Sequence, residues 1–268
     1  MNKPKLVDST LTLHNRVATL TFERDDVRNA LTGTALVEEI IATLDWANRN
    51  PEASVLILTG GGSAFSSGGN VKDMLDRRGL FSGDALEIQD KYRRGIQRLP
   101  LALEKAEIPI IAAVNGPAVG AGFDLACMCD LRIASKRARV GETFINLGLI
   151  PGDGGGWFLQ RLIGYQRAAE LTLTGRLIDA VEALELGIFL KLTEPEELLP
   201  QAQALAQEMA AKPPLALRQT KRLLKLAQRT ELPDFLDLCA GVQGMIHQTE
   251  DHRYAVKTFI ESSIQRKK

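Results

Sequence analysis

A carboxylate falls next to a glycine-rich turn within residues 108–130. The apolar run 109–114 predicts a strand, residues 115–122 contain three glycines and a proline, and residues 123–129 have the small and apolar side chains of a buried helix. A helix that begins just after Gly120 directs free backbone N–H groups and the positive end of its dipole towards the turn. Asp124 falls in the first turn of that helix. The pattern predicts a site that holds a developing negative charge beside a carboxylate.

Two other glycine clusters have similar surroundings. The strand predicted at 55–59 runs into residues 60–62 and then into Gly68 and Gly69. A third cluster, at 150–156, contains Asp153 at the start of a predicted helix. If the turns at 68–69 and 120–122 converge, their backbone N–H groups can bind one oxygen atom.

Several other chemistries lack their motifs in this chain. It has no GxxxxGK[ST] phosphate-binding loop, no GxGxxG dinucleotide fingerprint and no GxSxG nucleophile elbow. Its histidines are His14, His247 and His252, and the spacing of the last two does not place both imidazoles on one helical face for a metal. We therefore expect no metal site, and we expect carboxylates to carry any proton transfer.

The composition predicts a soluble globular protein with neither a nucleic-acid nor a membrane partner. Lys plus Arg and Asp plus Glu number 33 each among the 268 residues, so the basic excess of a nucleic-acid binder is missing. No run approaches the roughly 18 apolar residues of a membrane span, and the N-terminus lacks the apolar core of a signal peptide. Cys127 and Cys129 are interpreted as core residues in a reducing compartment, so we expect a cytoplasmic protein.

Hydrophobic periodicity predicts an α/β core followed by helices alone. The predicted strands are 11–13, 17–22, 55–59, 109–114, 131–134, 139–140 and 188–192. The predicted helices of the core are 34–48, 71–75, 85–106 with an interruption near Pro100, one that begins near 157, and one that Asp179 caps and Gly187 ends. The later helices are 196–211, 215–228, 232–247 and 251–262. We expect residues 1–195 to form the core and residues 196–268 to form a helical appendage.

Six segments resemble the enoyl-CoA hydratase/isomerase, or crotonase, superfamily. They are AFSSGGNVKDM (64–74), AAVNGPAVGAGFDLACMCDLRIA (112–134), LGLIPGDGGGWFLQRLIG (147–164), RNAL (28–31), LTGRLIDAVEALELGI (173–188) and ALRQTKRLL (216–224). They cover nearly the whole chain in the expected order and spacing. The resemblance implies an α/β fold with a crotonase-like spiral of β-β-α repeats in residues 1–195. It also implies a C-terminal helical trimerisation region in residues 196–268, and assembly as a homotrimer or homohexamer.

The resemblance further implies an acyl-CoA thioester substrate and no cofactor, since CoA is part of the substrate. By position, the N–H groups of Gly69 and Ala121 form an oxyanion hole around the thioester carbonyl. The residues implied along the CoA path are Asp26, Arg28, Ala30, Ser67, Gly68, Asn70 and Val71. Phe259 matches an aromatic residue that covers CoA from a neighbouring subunit, whereas Ser262 replaces the basic residue expected three positions later.

Enolate chemistry gives this arrangement a physical reason. Removing or adding a proton next to a thioester carbonyl puts negative charge on the carbonyl oxygen. Fixed N–H donors in a dry pocket stabilise that charge, and the loss of one donor costs on the order of 10²–10³ in rate. No metal or redox cofactor is required.

The chain departs from the family at both catalytic glutamates of its hydratases. The first falls at Asp124, which is one methylene shorter, and the second falls at Phe144, which cannot transfer a proton. Because a displacement of about 1 Å can cost around 10²-fold in rate, the two-glutamate mechanism does not carry over unmodified. Glu142 is one candidate to compensate, since it shares a face with Phe144 if the segment is extended. Asp153 is the other, and it lies one position after a catalytic aspartate of related isomerases and dehalogenases.

Each of the three acids also has a purely structural interpretation. Asp153 is alternatively a helix N-cap, Glu142 a solvated or salt-bridged strand residue, and Asp124 a residue that only orients the turn. The pocket wall is expected to include residues 76–92 and Phe144.

The leading hypothesis is the hydration of a 2-enoyl-CoA or the migration of its double bond, with Asp124 and either Asp153 or Glu142 as the proton-transfer pair. A single carboxylate suffices for migration, because it can take a proton at one carbon and return it at another. Family membership favours hydration. The alternatives are other enolate chemistry, such as C–C cleavage or decarboxylation, and a non-catalytic acyl-CoA-binding protein, which Phe144 favours.

Overall fold

The computed structural model describes residues 1–265, which contain two β-sheets. The larger sheet has the strand order β1-β2-β3-β4-β6-β9 and the smaller has the order β5-β7-β8. The strands are β1 (Ser9–His14), β2 (Val17–Phe22), β3 (Val55–Gly60), β4 (Ile110–Val114), β5 (Ala118–Val119), β6 (Leu131–Ser135), β7 (Arg139–Gly141), β8 (Ile178–Asp179) and β9 (Lys191–Thr193).

The larger sheet is parallel except at its first strand. β1 and β2 form an antiparallel hairpin through Asn15 and Arg16, which both have positive φ angles. The later neighbours pair in parallel. Parallel strands that are covered on both faces need near-continuous apolar runs, and every residue of β3 and β4 except Gly60 is buried. The predicted hairpin and the two predicted core strands are confirmed.

Helices surround both sheets. They are α1 (Leu36–Arg49), α2 (Val71–Leu75), α3 (Ala85–Arg94), α4 (Arg98–Glu104), α5 (Ala121–Met128), α6 (Gly155–Ile163), α7 (Tyr165–Thr174), α8 (Ala180–Glu185), α9 (Leu198–Ala210), α10 (Pro214–Ala227), α11 (Leu232–His247) and α12 (Glu250–Gln265). The helix predicted to begin just after Gly120 is α5. The predicted cap of α8 is also confirmed, since the Asp179 carboxylate accepts the N–H of Glu182.

Two predicted boundaries are shifted in the structure. The predicted interruption of the helix over 85–106 is confirmed, but it lies at residues 95–97, where Gly95 ends α3 with φ −107° and ψ −111°, and Pro100 does not cause it. Pro100 lies in the first turn of α4, where a residue without an N–H loses no intrahelical hydrogen bond. The last strand, predicted at 188–192, begins only at Lys191. The N–H groups of Ile188 and Phe189 instead donate to the carbonyl of Ala183 in α8.

Helix α9 covers one face of the larger sheet. Its residues Leu198, Ala202, Ala206 and Ala210 recur every four positions and are buried. They pack on aliphatic side chains of four strands, namely Val17, Val55, Ile57, Ile111, Ala113 and Ile133. Small alanines on the contact face allow the helix to lie close to the sheet.

Helix α10 is attached to the core by two cations, of which Lys221 is buried and Arg218 is half-buried. Lys221 Nζ donates to the carbonyl of Ile108 at 2.6 Å and contacts Asp130 Oδ2 at 2.7 Å. Arg218 donates to the carbonyls of Ala47 and Asn48 at the end of α1. Because each cation must find these particular acceptors, the contacts fix the position of α10 on the core.

Helices α11 and α12 expose large apolar side chains. These are Leu232, Leu236, Met245, Tyr254, Val256, Phe259 and Ile260. Several exposed large apolar side chains on two successive helices are typical of a protein–protein interface. None of the helices in residues 1–265 is long and apolar enough to cross a membrane.

Candidate active site

The smaller sheet brings two glycine turns together. Ser66 pairs with Ala118 of β5, and the N–H of Val119 donates to the Ser66 carbonyl at 3.0 Å. Gly68 has a φ of +75°, and a Cβ built on it would lie 2.8 Å from the backbone N of Ala121. A side chain at position 68 would therefore collide with the start of α5, and glycine permits this close approach.

Two backbone N–H groups are free at this junction. Gly69 and Ala121 line the same pocket, and neither N–H donates a hydrogen bond within the described residues. Ala121 is the first residue of α5, where intrahelical acceptors are missing and the helix dipole is positive. The pocket wall can therefore supply two donors to an oxygen that carries negative charge.

The remainder of this pocket is mostly apolar. Its wall consists of Thr32, Gly69, Met74, Leu80, Phe81, Tyr92, Ile96, Ala121, Phe144, Leu149, Ile150, Gly152 and Asp153. Asp153 contributes the carboxyl group of this wall. An apolar wall excludes water and so strengthens electrostatic interactions inside the pocket.

Asp124 lies behind this wall and is completely buried. Neither of its carboxyl oxygens accepts a hydrogen bond from an N–H or hydroxyl group of the described residues. The carboxyl group packs against Gly155 at the start of α6, where a Cβ would lie 2.2 Å from Asp124 Oδ1. The interpretation of Asp124 as a residue that only orients the turn is therefore wrong, because its side chain bonds to no backbone group of the turn.

Asp153 reaches the pocket with 4% of its surface exposed. Its Oδ1 has no N–H or hydroxyl donor among the described residues. The N-cap of α6 is Gly154, at a φ of +115° and without a side-chain cap. The interpretation of Asp153 as a helix N-cap is therefore wrong.

Glu142 is buried and follows β7 directly. Its Oε2 accepts the Thr172 hydroxyl at 2.6 Å, while its Oε1 has no such donor among the described residues. The interpretation of Glu142 as a solvated or salt-bridged strand residue is wrong, since the side chain is buried from water and pairs with no cation in the described part of the chain.

The three carboxyl groups form one contact cluster with Asp124 in the middle. Asp124 lies beside the carboxyl groups of both Asp153 and Glu142, close enough for the three groups to interact. Burial is the largest cause that raises the pKa of each acid, and the neighbouring carboxylates raise the pKa of Asp124 further. Because no cation among the described residues pairs with them, burial favours a proton shared within the cluster, and the three groups titrate as one system.

Phe144 lies in the 3₁₀ turn Thr143–Leu147, since β7 ends at Gly141. The segment from 142 to 144 is therefore not extended, and the condition under which Glu142 and Phe144 would share a face is not met. The Phe144 ring packs over the glycine turn, 3.6 Å from where a Cβ of Gly120 would lie, and it lines the pocket. Glu142 points into the carboxyl cluster and is not part of the pocket wall.

The residues implied along the CoA path lie on two adjoining segments. The N–H of Ser67 donates to the Arg28 carbonyl at 2.9 Å, and the N–H of Leu31 donates to the Gly68 carbonyl at 2.7 Å. Ala30 is buried, and Asn70 caps α2 by accepting the N–H of Lys72 at 3.0 Å. The two segments therefore form one rim beside the pocket.

The exposed side chains of this rim differ in their partners. Both Asp26 oxygens accept the Arg24 guanidinium at 2.8 Å, which lowers the pKa of Asp26. Arg28 is exposed at a φ of +53°, and its guanidinium has no hydrogen bond or ion pair within the described residues. Val71 is 54% exposed at the start of α2. Phe259 is on α12 and does not line the pocket.

Two functional candidates were not singled out from the sequence. Tyr92 falls at the end of the segment 76–92 that was expected in the pocket wall, and its ring lies 3.6 Å from where a Cβ of Gly152 would be. Burial and the Asp153 charge raise the pKa of Tyr92. Thr172 gave no sequence signal, because its partner Glu142 is 30 residues away in the chain.

Comparisons with known proteins show which family this chain is similar to. A family model described as enoyl-CoA hydratase/isomerase matches residues 12–266. The chain is 33% identical over 247 residues to a crotonyl-CoA hydratase of Syntrophomonas wolfei, covering 92% of each chain. It is 33% identical over 248 residues to a short-chain-enoyl-CoA hydratase of Clostridium acetobutylicum, again covering 92% of each. A crystal structure of enoyl-CoA hydratase from Bacillus anthracis superposes with a TM-score of 0.88 at 30% identity, covering 96% of this chain and 97% of that one.

Proposed function

The chain belongs to the enoyl-CoA hydratase/isomerase family, and from this premise we propose that it moves a double bond within an acyl-CoA thioester by way of an enolate bound at Gly69 and Ala121. The family and the crotonase-like α/β fold predicted from the sequence are confirmed, as is the prediction of an enzyme. The substrate, the site residues and the reaction within the family belong to the proposal.

The free N–H groups of Gly69 and Ala121 support an oxyanion hole. In the proposed reaction the thioester carbonyl oxygen accepts both N–H groups. The charge that forms on this oxygen when a neighbouring C–H bond breaks is stabilised by donors that are already in place. Because the donors belong to the backbone, they need no reorganisation at the moment of reaction.

The observation that carries the choice of reaction is the position of Asp153. It brings a carboxyl group into the pocket wall that holds both free N–H groups, whereas Asp124 and Glu142 lie outside that wall. One carboxylate can remove the C2 proton of a 3-enoyl-CoA and return a proton at C4, which yields the 2-enoyl-CoA. Phe144 at the position of the second family glutamate leaves this side of the pocket apolar.

Hydration of a 2-enoyl-CoA is the second candidate. Two of the relatives described above are hydratases by name. The contact between Asp153 and Asp124 gives the site a pair of carboxyl groups, as hydration requires. Hydration would also need a water molecule held between Asp153 and the double bond of the substrate.

Two substrates and one variant separate these reactions. With a 3-enoyl-CoA we expect the absorbance of the conjugated 2-enoyl product to appear, and with crotonyl-CoA hydration would make that absorbance disappear. Asp153→Asn should lower kcat by about 10²–10⁴-fold. If neither substrate changes across several acyl chain lengths, both proposals are wrong, and calorimetry with acyl-CoA then tests a binding function. If both react equally in Asp153→Asn and wild type, the assignment of Asp153 is wrong.

The rim beside the pocket is proposed to bind CoA. Its members are Asp26, Arg28, Ala30, Ser67, Gly68, Asn70 and Val71. The exposed Arg28 guanidinium supports this proposal, because it is a cation available to a phosphate group. We propose no cofactor beyond the CoA of the substrate, and no nucleic-acid or membrane partner.

We also propose a homotrimer or homohexamer, formed through residues 196–268 as the helical appendage to the core 1–195. The exposed apolar side chains of α11 and α12 support it. In such an assembly Phe259 would cover CoA bound to a neighbouring subunit. The unpaired Cys127, Cys129 and Cys239 support the proposed cytoplasmic location.

A further inference from the structure

The carboxyl cluster extends from the pocket into the protein. Asp153 is at the pocket end, Asp124 is in the middle, and Glu142 is at the inner end. Four of the six carboxyl oxygens receive no N–H or hydroxyl hydrogen bond from the described residues, including both oxygens of Asp124. The donors that remain for these oxygens are the protons of the carboxyl groups themselves.

The inner end of the cluster has a fixed donor. The Thr172 hydroxyl donates to Glu142 Oε2 at 2.6 Å. Thr172 lies on α7, which packs on the 3₁₀ turn that follows Glu142. A hydroxyl that donates to a carboxylate favours its ionised form, and this hydrogen bond lowers the pKa of Glu142 against the effect of burial.

Resting on the proposed function, we infer that Thr172 and Glu142 are positioning residues. Thr172 keeps the Glu142 carboxylate ionised and in place behind Asp124. When Asp153 takes a proton from the substrate, the Asp124 O–H can then donate its hydrogen bond to Glu142 in place of Asp153. In the resting site Asp124 O–H donates to the Asp153 carboxylate. This hydrogen bond keeps Asp153 ionised and ready to act as a base.

The proton movements balance. When Asp153 removes the C2 proton, the C–H electron pair moves to the thioester oxygen held by Gly69 and Ala121, and Asp153 becomes neutral. Asp124 O–H then donates to Glu142. Return of the Asp153 proton to C4 regenerates the carboxylate, and Asp124 O–H turns back. No bond of Asp124 breaks, since its proton only changes acceptor.

The other titratable groups near the cluster do not replace Thr172. Burial raises the pKa of Cys127 to about 12, so this thiol stays neutral. Tyr92 faces Asp153 at the pocket end. Arg176 packs its backbone on Gly141, but its guanidinium binds Glu170 and Glu182. Among the described residues, Thr172 is the hydroxyl donor to Glu142.

Thr172→Val and Thr172→Ser test the inference in the full-length protein. Valine keeps the volume without a donor, and serine keeps the hydroxyl. The readout is the infrared C=O band of buried carboxylic acids, followed against pH without substrate. Loss of a donor to a carboxylate raises its pKa, so the cluster should keep its protons to a pH about one unit higher in Thr172→Val. Thr172→Ser should titrate like the wild type.

Kinetics give a second readout. The acid limb of the pH profile of kcat/KM reports the ionisation of Asp153. In Thr172→Val it should shift to a pH about one unit higher, with KM nearly unchanged. In a Glu142→Gln background the valine should have no further effect, because the two residues act as a unit. An unchanged infrared titration in Thr172→Val, or equal shifts in the valine and serine variants, would overturn the inference. Absence of turnover with every enoyl-CoA would instead count against the proposed function, because the infrared titration needs no substrate.

Discussion

The carboxyl group of Asp124 lies directly against Gly155. A Cβ at position 155 would be 2.2 Å from Asp124 Oδ1 and 2.4 Å from Oδ2. Both residues are buried, one in the first turn of α5 and the other at the start of α6. Residue 155 must therefore lack a side chain for Asp124 to reach its place between Asp153 and Glu142.

Gly155→Ala should lower both stability and activity. The added methyl group displaces a buried carboxyl group that has little room to move, and overpacking of this kind costs about 1–3 kcal/mol. Gly156→Ala is the matched control in the same turn, since its nearest neighbour is Pro151 Cγ at 3.6 Å. Because alanine favours helix, this control should be neutral or gain up to ~1 kcal/mol. Urea unfolding and enoyl-CoA turnover provide the measurements.

Repeating Gly155→Ala in an Asp124→Ala variant checks the cause of the lost stability. In Asp124→Ala the obstructing carboxyl group is gone, so the cost of Gly155→Ala in unfolding free energy should shrink. Equal costs in both backgrounds would show that the methyl group meets another part of the structure.

Asp124→Asn should remove the part of the pH dependence of stability that the Asp124 carboxyl group contributes. The pKa of Asp124 is raised well above its ordinary value by burial and by Asp153, so between the unfolded and folded pKa values the folded protein binds more protons. This contribution to stability is complete below about pH 4 and is lost as the pH rises through the folded pKa. The unfolding free energy of the variant minus that of the wild type should therefore increase above about pH 4, by at most ~1.4 kcal/mol per pH unit.

Asp25→Asn provides a control of opposite sign. The backbone N–H and hydroxyl of Ser63 lower the pKa of Asp25 by hydrogen bonding. Its contribution is present above the unfolded pKa and is lost as the pH falls through the lower folded pKa. Urea unfolding from about pH 2 to pH 8 should show the Asp25 trend below about pH 4 and the opposite Asp124 trend above it. The same trend in both variants would contradict the assignment for Asp124.

Local patterns predicted much of the fold. The apolar run before Asn115 and the glycines after it were enough for β4, the turn and the start of α5 at Ala121. The Asp179 cap of α8 was equally local, because an N-cap bonds to an N–H three residues away. These predictions needed contacts only between neighbours in the sequence.

The contacts within the carboxyl cluster could not be predicted from local sequence patterns, because the folding of distant segments brings its members together. Asp153 resembled an N-cap, but the N-cap of α6 is Gly154, with a φ of +115°, and the Asp153 side chain lines the pocket instead. Glu142 and Thr172 meet because α7 folds back over the turn after β7. The resemblance to a family directed attention to Asp124, Phe144 and Asp153, and Glu142 was the other candidate; the contact between Glu142 and Thr172 was not predicted.

Met245→Glu should weaken self-association. Met245 is 60% exposed on α11 among the apolar side chains that we propose to contact other subunits, and a buried unpaired carboxylate there is costly. Gln243→Glu adds the same charge to an exposed polar position of the same helix and should leave the assembly intact. Light scattering at several protein concentrations gives the mass. A monomeric wild type, or equal dissociation of both variants, would contradict this interface.

Tyr92→Phe should lower kcat/KM while leaving the fold unchanged. The ring packs beside Gly152, and phenylalanine keeps that contact. Burial and the Asp153 charge raise the pKa of Tyr92, so its hydroxyl stays protonated at neutral pH and is a donor within the pocket. A hydrogen bond to a group that gains charge contributes roughly 1.5 kcal/mol or more, which corresponds to at least a tenfold loss of kcat/KM. Tyr165→Phe, at a 76% exposed position of α7, is the control and should retain full activity. Equal activity of both variants, measured with the enoyl-CoA that the wild type converts fastest, would limit Tyr92 to packing.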